Sequence, residues 1–192
     1  MKSLLFSVLL LSINLPVMAA DINGKFAMKG AGFLTCQAFL LERQKRSNIY
    51  YMIGGWLEGY ISAHNRYVTD TYDITAYQSL ELLLNVMDSH CQSNPSNQLY
   101  QVVSGIIEKL EPVRIKQESP RIAVTIGERK VVLYRATIRK LQQKLSELEL
   151  YQGQIDGQYT DATKSALMAY QSDIGFEMTG VPDQGTLWRL LK

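Results

Sequence analysis

Two histidines, two cysteines and eighteen acidic residues are the groups of this 192-residue chain that could carry catalysis. A zinc hydrolase needs three protein ligands and an open position, and His64 and His90 show neither an HxxxH nor an HExxH spacing. Acid–base hydrolysis by paired carboxylates needs two acids across a cleft, one of them held protonated. Glu58 and Glu81 lie among apolar neighbours, but an acid beside an apolar face is common and does not make such a pair. Gly54-Gly55 and Gly105 fall in helical context, where they are expected to permit close helix packing rather than to cradle phosphate. His90 adjoins Cys91, yet neighbours on a helix point about 100° apart, whereas a nucleophile and its base must face each other. The expectation is therefore no catalytic residue, no metal site and no cofactor.

Non-covalent recognition has a better candidate. Tyr151 to Tyr159 holds two aromatics with Gln152, Gln154, Asp156 and Gln158 between them, and Tyr170 and Gln171 follow on the next helix. Aromatic faces take apolar ligand surface while amides and carboxylates supply directed hydrogen bonds. The expected ligand set is Tyr151, Asp156, Gln158, Tyr159 and Gln171. Tyr151, Gln158 and Tyr159 are placed at the surface, Asp156 shapes the loop, and Ile155 and Tyr170 pack inward.

Three short helices would position this loop. Ile138, Leu141, Leu145 and Leu148 recur at helical spacing. Gly153 and Gly157 break the period, and Thr160 caps a second helix with Ala166, Leu167 and Tyr170 on its apolar face. Gly175 and Gly180 end it, and Asp183 caps a third carrying Leu187, Leu190 and Leu191. The order LQxxL, Gly-x-Ile-Asp-Gly, Thr-x-x-Ala-Leu-x-x-Tyr-Gln, Gly-x-x-x-Thr-Gly and Asp-x-x-Thr-Leu-x-x-Leu, from Ile138 to Leu191, resembles the peptidoglycan-binding domain type 1. The family usually has Phe-Gly or Tyr-Gly where this chain has Tyr159-Thr160. The resemblance implies binding of cell-wall glycan or its stem peptides without catalysis.

The chain begins differently. Lys2, the apolar run Leu4 to Ile13, Pro16 and Val17-Met18-Ala19-Ala20 have the composition of a secretory signal cleaved after Ala19 or Ala20. The run stops short of the roughly 20 apolar residues that span a bilayer, so an integral membrane protein is not expected after cleavage. Export puts Cys36 and Cys91 in an oxidising compartment, where an even count reads as one disulfide. A net charge of +2 with well-mixed signs and no basic stripe argues against nucleic acid as a partner.

From Gly30 to Leu110 the periodicity is helical. Phe33, Leu34, Cys36, Phe39 and Leu40 mark a first helix. Ser47 or Asn48 caps a second, running through Trp56, Tyr60 and Ala63 towards Tyr67. Tyr77 to Cys91 gives a third and Leu99 to Leu110 a fourth. Cys36, Gly59-Tyr60-Ile61-Ser62-Ala63, Cys91 and Asn97-Gln98-Leu99 are similar to the HdeA-like and Rap1a-like periplasmic domains. Many Rap1a-like members carry a further cysteine just before the Gly-Tyr-Ile segment, where this chain has Trp56-Leu57-Glu58. That resemblance implies a chaperone or immunity role. Gln117-Glu118-Ser119-Pro120 marks a boundary, and the β-branched runs Arg121–Ile126 and Val131–Tyr134 around Gly127 predict a hairpin.

The expected architecture is mainly α. A signal peptide at 1–20 precedes a disulfide-stapled four-helix domain at 21–112, a linker with a hairpin at 113–135, and a three-helix peptidoglycan-binding-like module at 136–192. The expected function is an exported, non-enzymatic, cell-wall-associated protein, periplasmic or secreted, that binds peptidoglycan. The alternative is a periplasmic chaperone or immunity-type protein whose C-terminal module binds protein. A protein partner for the N-terminal domain is open in either case. No internal repeat is read.

Overall fold

Side-chain oxygens decide where most of the helices begin. Thr35, Ser47, Ser79, Thr160 and Asp183 each hold extended backbone and accept a hydrogen bond from the amide three residues on. Each cap satisfies one of the amides that open a helix without a partner. The computed structural model describes Asp21, Asn23 and residues 25–191, so the expected signal at 1–20 lies outside the described residues. Within them the order is α1 (Cys36–Lys45), α2 (Asn48–Tyr67), α3 (Leu80–Ser93), α4 (Leu99–Leu110), β1 (Arg121–Ile126), β2 (Arg129–Tyr134), α5 (Arg135–Glu147), α6 (Asp161–Asp173) and α7 (Gln184–Leu190). The protein is mainly helical with a single two-stranded hairpin among the described residues.

The first four helices enclose one core, centred on Phe39, Ile53, Leu57, Met87, Leu99 and Val103. Cys36 and Cys91 are joined with their Cα atoms 4.8 Å apart, tying the start of α1 to the last turn of α3. Arg43 closes the same seam: its guanidinium donates to the Leu84 carbonyl at 2.6 Å, pairs with Glu81 at 3.0 Å and bonds Asn85.

Three expectations for this half need correction. Phe33 is not part of α1 but sits 57% exposed in the 3-10 turn Gly30–Phe33. The helix α2 runs through Trp56, Tyr60 and Ala63 to Tyr67 behind its Ser47 cap, as expected, and buries Ile53, Gly54 and Leu57. Trp56 is only half-buried, because its indole N–H must reach an acceptor and finds the Lys29 carbonyl, 2.9 Å away on the outer segment. Tyr77 precedes α3 rather than opening it. A Cβ at Gly55 or Gly105 would meet open space, so neither glycine serves close packing.

The hairpin pairs Arg121 with Tyr134 through to Ile126 with Arg129, leaving Gly127 and Glu128 as the turn. Gly127 has φ 58°, as a two-residue hairpin loop favours. Val124 and Leu133 join Ile138, Leu141, Leu145, Leu167 and Leu187 in a second core, so the hairpin packs on the C-terminal helices.

The segment between α2 and α3 fastens the two halves together. Asp73 and Ile115 exchange backbone bonds, the Tyr134 hydroxyl donates to Asp73 Oδ2 at 3.0 Å, and Thr137 Oγ1 donates to the Ala76 carbonyl at 2.9 Å. Gln184, the first residue of α7, accepts from the Ser79 amide at 2.9 Å and donates to the Tyr77 carbonyl at 2.8 Å. Tyr77 packs against the C-terminal core, and burial pushes its hydroxyl up to about 12.

Candidate functional site

Two glutamine side chains organise the C-terminal module. Gln142 on α5 is 0% exposed and Gln171 on α6 is 1% exposed, an unusual place for an amide unless every polar atom finds a partner. Gln142 Oε1 accepts from the Gly157 amide at 2.8 Å. Its Nε2 donates to the Gln158 carbonyl at 2.9 Å and to Thr163 Oγ1 at 3.2 Å. Gln171 repeats the arrangement: Oε1 accepts from the Gly180 amide at 2.8 Å, and Nε2 donates to the Val181 carbonyl at 3.1 Å and Thr186 Oγ1 at 3.2 Å.

Both loops therefore share one device. A glycine donates to the latch, the next residue accepts from it, the third residue beyond the glycine caps the following helix, and the sixth supplies a threonine. Both glycines take positive φ, 78° at Gly157 and 65° at Gly180. A Cβ on Gly157 would lie 2.7 Å from the Arg135 carbonyl oxygen, so this position tolerates no side chain. Tyr159 ties the loops to each other, its hydroxyl donating to the Gly180 carbonyl at 2.5 Å.

This geometry redistributes the expected ligand set. Tyr151 is 5% exposed, and its hydroxyl donates to the Gln154 carbonyl at 2.8 Å within the same loop. Tyr159 is half-buried at the inter-loop bond, and burial drives its hydroxyl well above the usual tyrosine range. Gln171 is a latch. The surface placement of Tyr151 is thus corrected, and Tyr159 and Gln171 likewise spend their polar atoms on backbone partners inside the module. Asp156 shapes its loop, with Oδ1 accepting from the Gln158 amide at 2.8 Å; that bond, assisted by Gln142, holds its carboxyl below the usual range. Gln158 is exposed. Ile155, expected inside, is 43% exposed.

The exposed rim consists of Gln152, Gln154, Ile155 and Gln158 on the first loop and Phe176 and Met178 on the second. The Arg189 guanidinium lies 5.9 Å from the centre of the Phe176 ring. Such a rim offers amide hydrogen bonds beside small apolar patches. Residues 134–190 match the family described as "Putative peptidoglycan binding domain". The C-terminal module is of that family. The match opens at Tyr134, one residue before α5, so this peptidoglycan binding domain comprises α5 to α7 and leaves most of the hairpin outside it. No curated protein and no solved structure matches the chain. The likeness of the N-terminal half to HdeA-like and Rap1a-like domains finds no support.

Elsewhere the chemistry-bearing side chains lie apart. Glu58 is exposed on α2, and Glu81 is engaged by Arg43. His64 Nε2 lies 3.7 Å from Glu111, and His90 Nε2 lies 3.1 Å from the Asn97 amide. Among the described residues no group of three His, Cys, Asp or Glu is placed to hold a metal ion. Gln142 and the latch role of Gln171 were missed from sequence, although a signal exists. Gly157-x-x-Thr160-x-x-Thr163 recurs as Gly180-x-x-Asp183-x-x-Thr186, an internal repeat that three shared positions and unequal loop lengths conceal.

Proposed function

We propose that the chain is an exported, non-enzymatic protein that attaches to bacterial peptidoglycan through its C-terminal module, in the periplasm or outside the cell. The observation that carries this reading is the family match over residues 134–190, on a module whose polar interior is committed to shaping two surface loops. Export rests on the signal-like composition of 1–20. Among the described residues no helix is long and apolar enough to cross a membrane. Attachment is supported by what the module offers at its surface: side-chain amides beside small apolar side chains.

A second reading is an interaction protein, chaperone-like or immunity-type. It is favoured by a run of aromatic rings on the N-terminal half: Phe26 against Tyr100 at 5.2 Å, Tyr100 against Tyr60 at 6.3 Å and Tyr60 against Trp56 at 5.6 Å. Phe26 is 52% exposed. Co-sedimentation of the full chain with purified sacculi separates the two. The first reading requires binding that Ile155→Ser with Gln158→Ala weakens while helical circular dichroism stays intact. Failure of the parent chain to sediment with sacculi overturns it.

A further inference from the structure

A cleft of about 570 Å³ opens where the two halves meet, between the connection 112–120 and the first turns of α5. Its size falls within the range of small-ligand sites. Five cations line it, namely Arg114, Lys116, Arg135, Arg139 and Lys140, against the carboxylates of Asp70 and Glu118. Arg114 and Lys116 both engage Asp70, at 3.5 and 2.8 Å. Arg135, Arg139 and Lys140 have no carboxylate within 4 Å among the described residues. The Arg135 Nε–H is buried and meets no acceptor among the described residues, which is costly for a charged donor. Lys140 is half-buried, and desolvation, with Lys144 nearby, lowers its pKa.

The opening amides of α5 do not make this site. The Arg135 amide donates to the Pro120 carbonyl at 2.8 Å and the Ala136 amide to Ser119 Oγ at 3.0 Å. The positive charge is therefore a side-chain feature, assembled from both halves. The same cleft carries apolar wall from Tyr77, Val113, Ile115 and Leu191. Guanidinium forks pair with carboxylates in plane, and apolar wall beside them takes methyl groups. A bare inorganic anion would leave that wall unused.

We propose that this cleft is a second ligand site that receives a peptide bearing free carboxylates and small apolar side chains, the chemistry of a peptidoglycan stem peptide. The proposal rests on the wall-binding reading and adds an epitope that the N-terminal half helps to form. Titration calorimetry of the full chain with an N-acetylated L-Ala-D-Glu-L-Lys-D-Ala peptide tests it, with the carboxyl-amidated peptide alongside. The acid form should bind at least tenfold more tightly than the amide. Arg135→Gln and Lys140→Gln should each weaken the acid form by about tenfold, the scale of one charge-assisted hydrogen bond. Lys140→Gln keeps the test in force should Arg135→Gln fail to fold, because the Arg135 stem packs beneath Gly157. Equal binding of acid and amide, or of parent and variants, overturns the site. So does displacement of the peptide by inorganic phosphate at the same concentration. A chain that sediments with sacculi yet ignores the peptide defeats this inference and leaves wall binding standing. A chain that binds neither defeats both.

Discussion

Replacing Gln142 by methionine keeps the side-chain volume close to the original and removes both hydrogen-bonding functions of the amide. The Gly157 N–H then loses its acceptor at 2.8 Å in a buried setting, and the Gln158 carbonyl loses its donor at 2.9 Å. A buried amide left unpaired costs about 1–3 kcal/mol. The Gln158 carbonyl retains a long contact from Thr163 Oγ1 at 3.4 Å, so its loss is the smaller of the two. The expected destabilisation is about 2–3 kcal/mol, beyond the roughly 0.5 kcal/mol scatter of surface substitutions. With a urea slope of about 2 kcal/mol/M, the unfolding midpoint should fall by about 1–1.5 M. Amide exchange at Gly157 should accelerate as well, because the loop that the latch holds is the first part released. Gln152→Met, on an exposed residue of the same loop, is the control and should leave both readouts unchanged. A Gln142→Met midpoint equal to that of the parent, or an unchanged Gly157 exchange rate, would refute the latch.

Further expectations follow from other contacts. Cys36→Ser with Cys91→Ser should cost the N-terminal half about 4 kcal/mol on the chain-entropy model for a separation of 55 residues, read as a lower melting temperature; the bond itself should appear in unreduced peptide mass spectra. Gln184→Ala removes both bonds to the Tyr77–Ser79 segment and should cost about 1–2 kcal/mol, broadening the thermal transition as the halves uncouple. Tyr77 is raised from 10.0 to about 12, so its neutral form is favoured by folding. The stability it adds is complete below pH 10 and lost as pH rises towards 12; Tyr77→Phe should flatten that part of the alkaline unfolding curve. Asp156 is lowered, so its contribution is present above the ordinary carboxylate range and lost as pH falls through and below it. Asp156→Asn should remove the acid dependence of the Gly157 protection factor, the exchange rate relative to that of the unfolded chain at the same pH.

What the sequence made legible was the part that local chemistry dictates. The Thr160 and Asp183 caps, the leucine stripe of the C-terminal helices and the hairpin around Gly127 are fixed by their own neighbours. The Cys36–Cys91 pairing followed from compartment and count. The misreadings share a different cause. Tyr151, Tyr159 and Gln171 have the composition of a binding surface, but their partners, the carbonyls of Gln154, Gly180 and Val181, are backbone groups that one-dimensional spacing does not bring near. The basic cleft was invisible because its two walls, around Lys116 and Lys140, are separated by the whole hairpin in sequence and are joined by the Pro120–Arg135 and Ser119–Ala136 bonds and the docked 71–79 segment.

The clasp between Gln184 and the 77–79 backbone also bears on how this protein would carry tension. Suppose the C-terminal module is held on a rigid lattice and the N-terminal half is pulled by whatever it contacts. Force then travels along the covalent connection 114–120 and, in parallel, through the Gln184 clasp, the Thr137–Ala76 bond and the Asp73–Ile115 bridge. Parallel bonds share strain and must break together before the halves separate. The chain would thus behave under load as a stiff bracket, holding its N-terminal half at one angle to the surface that carries it, rather than as two beads on a string.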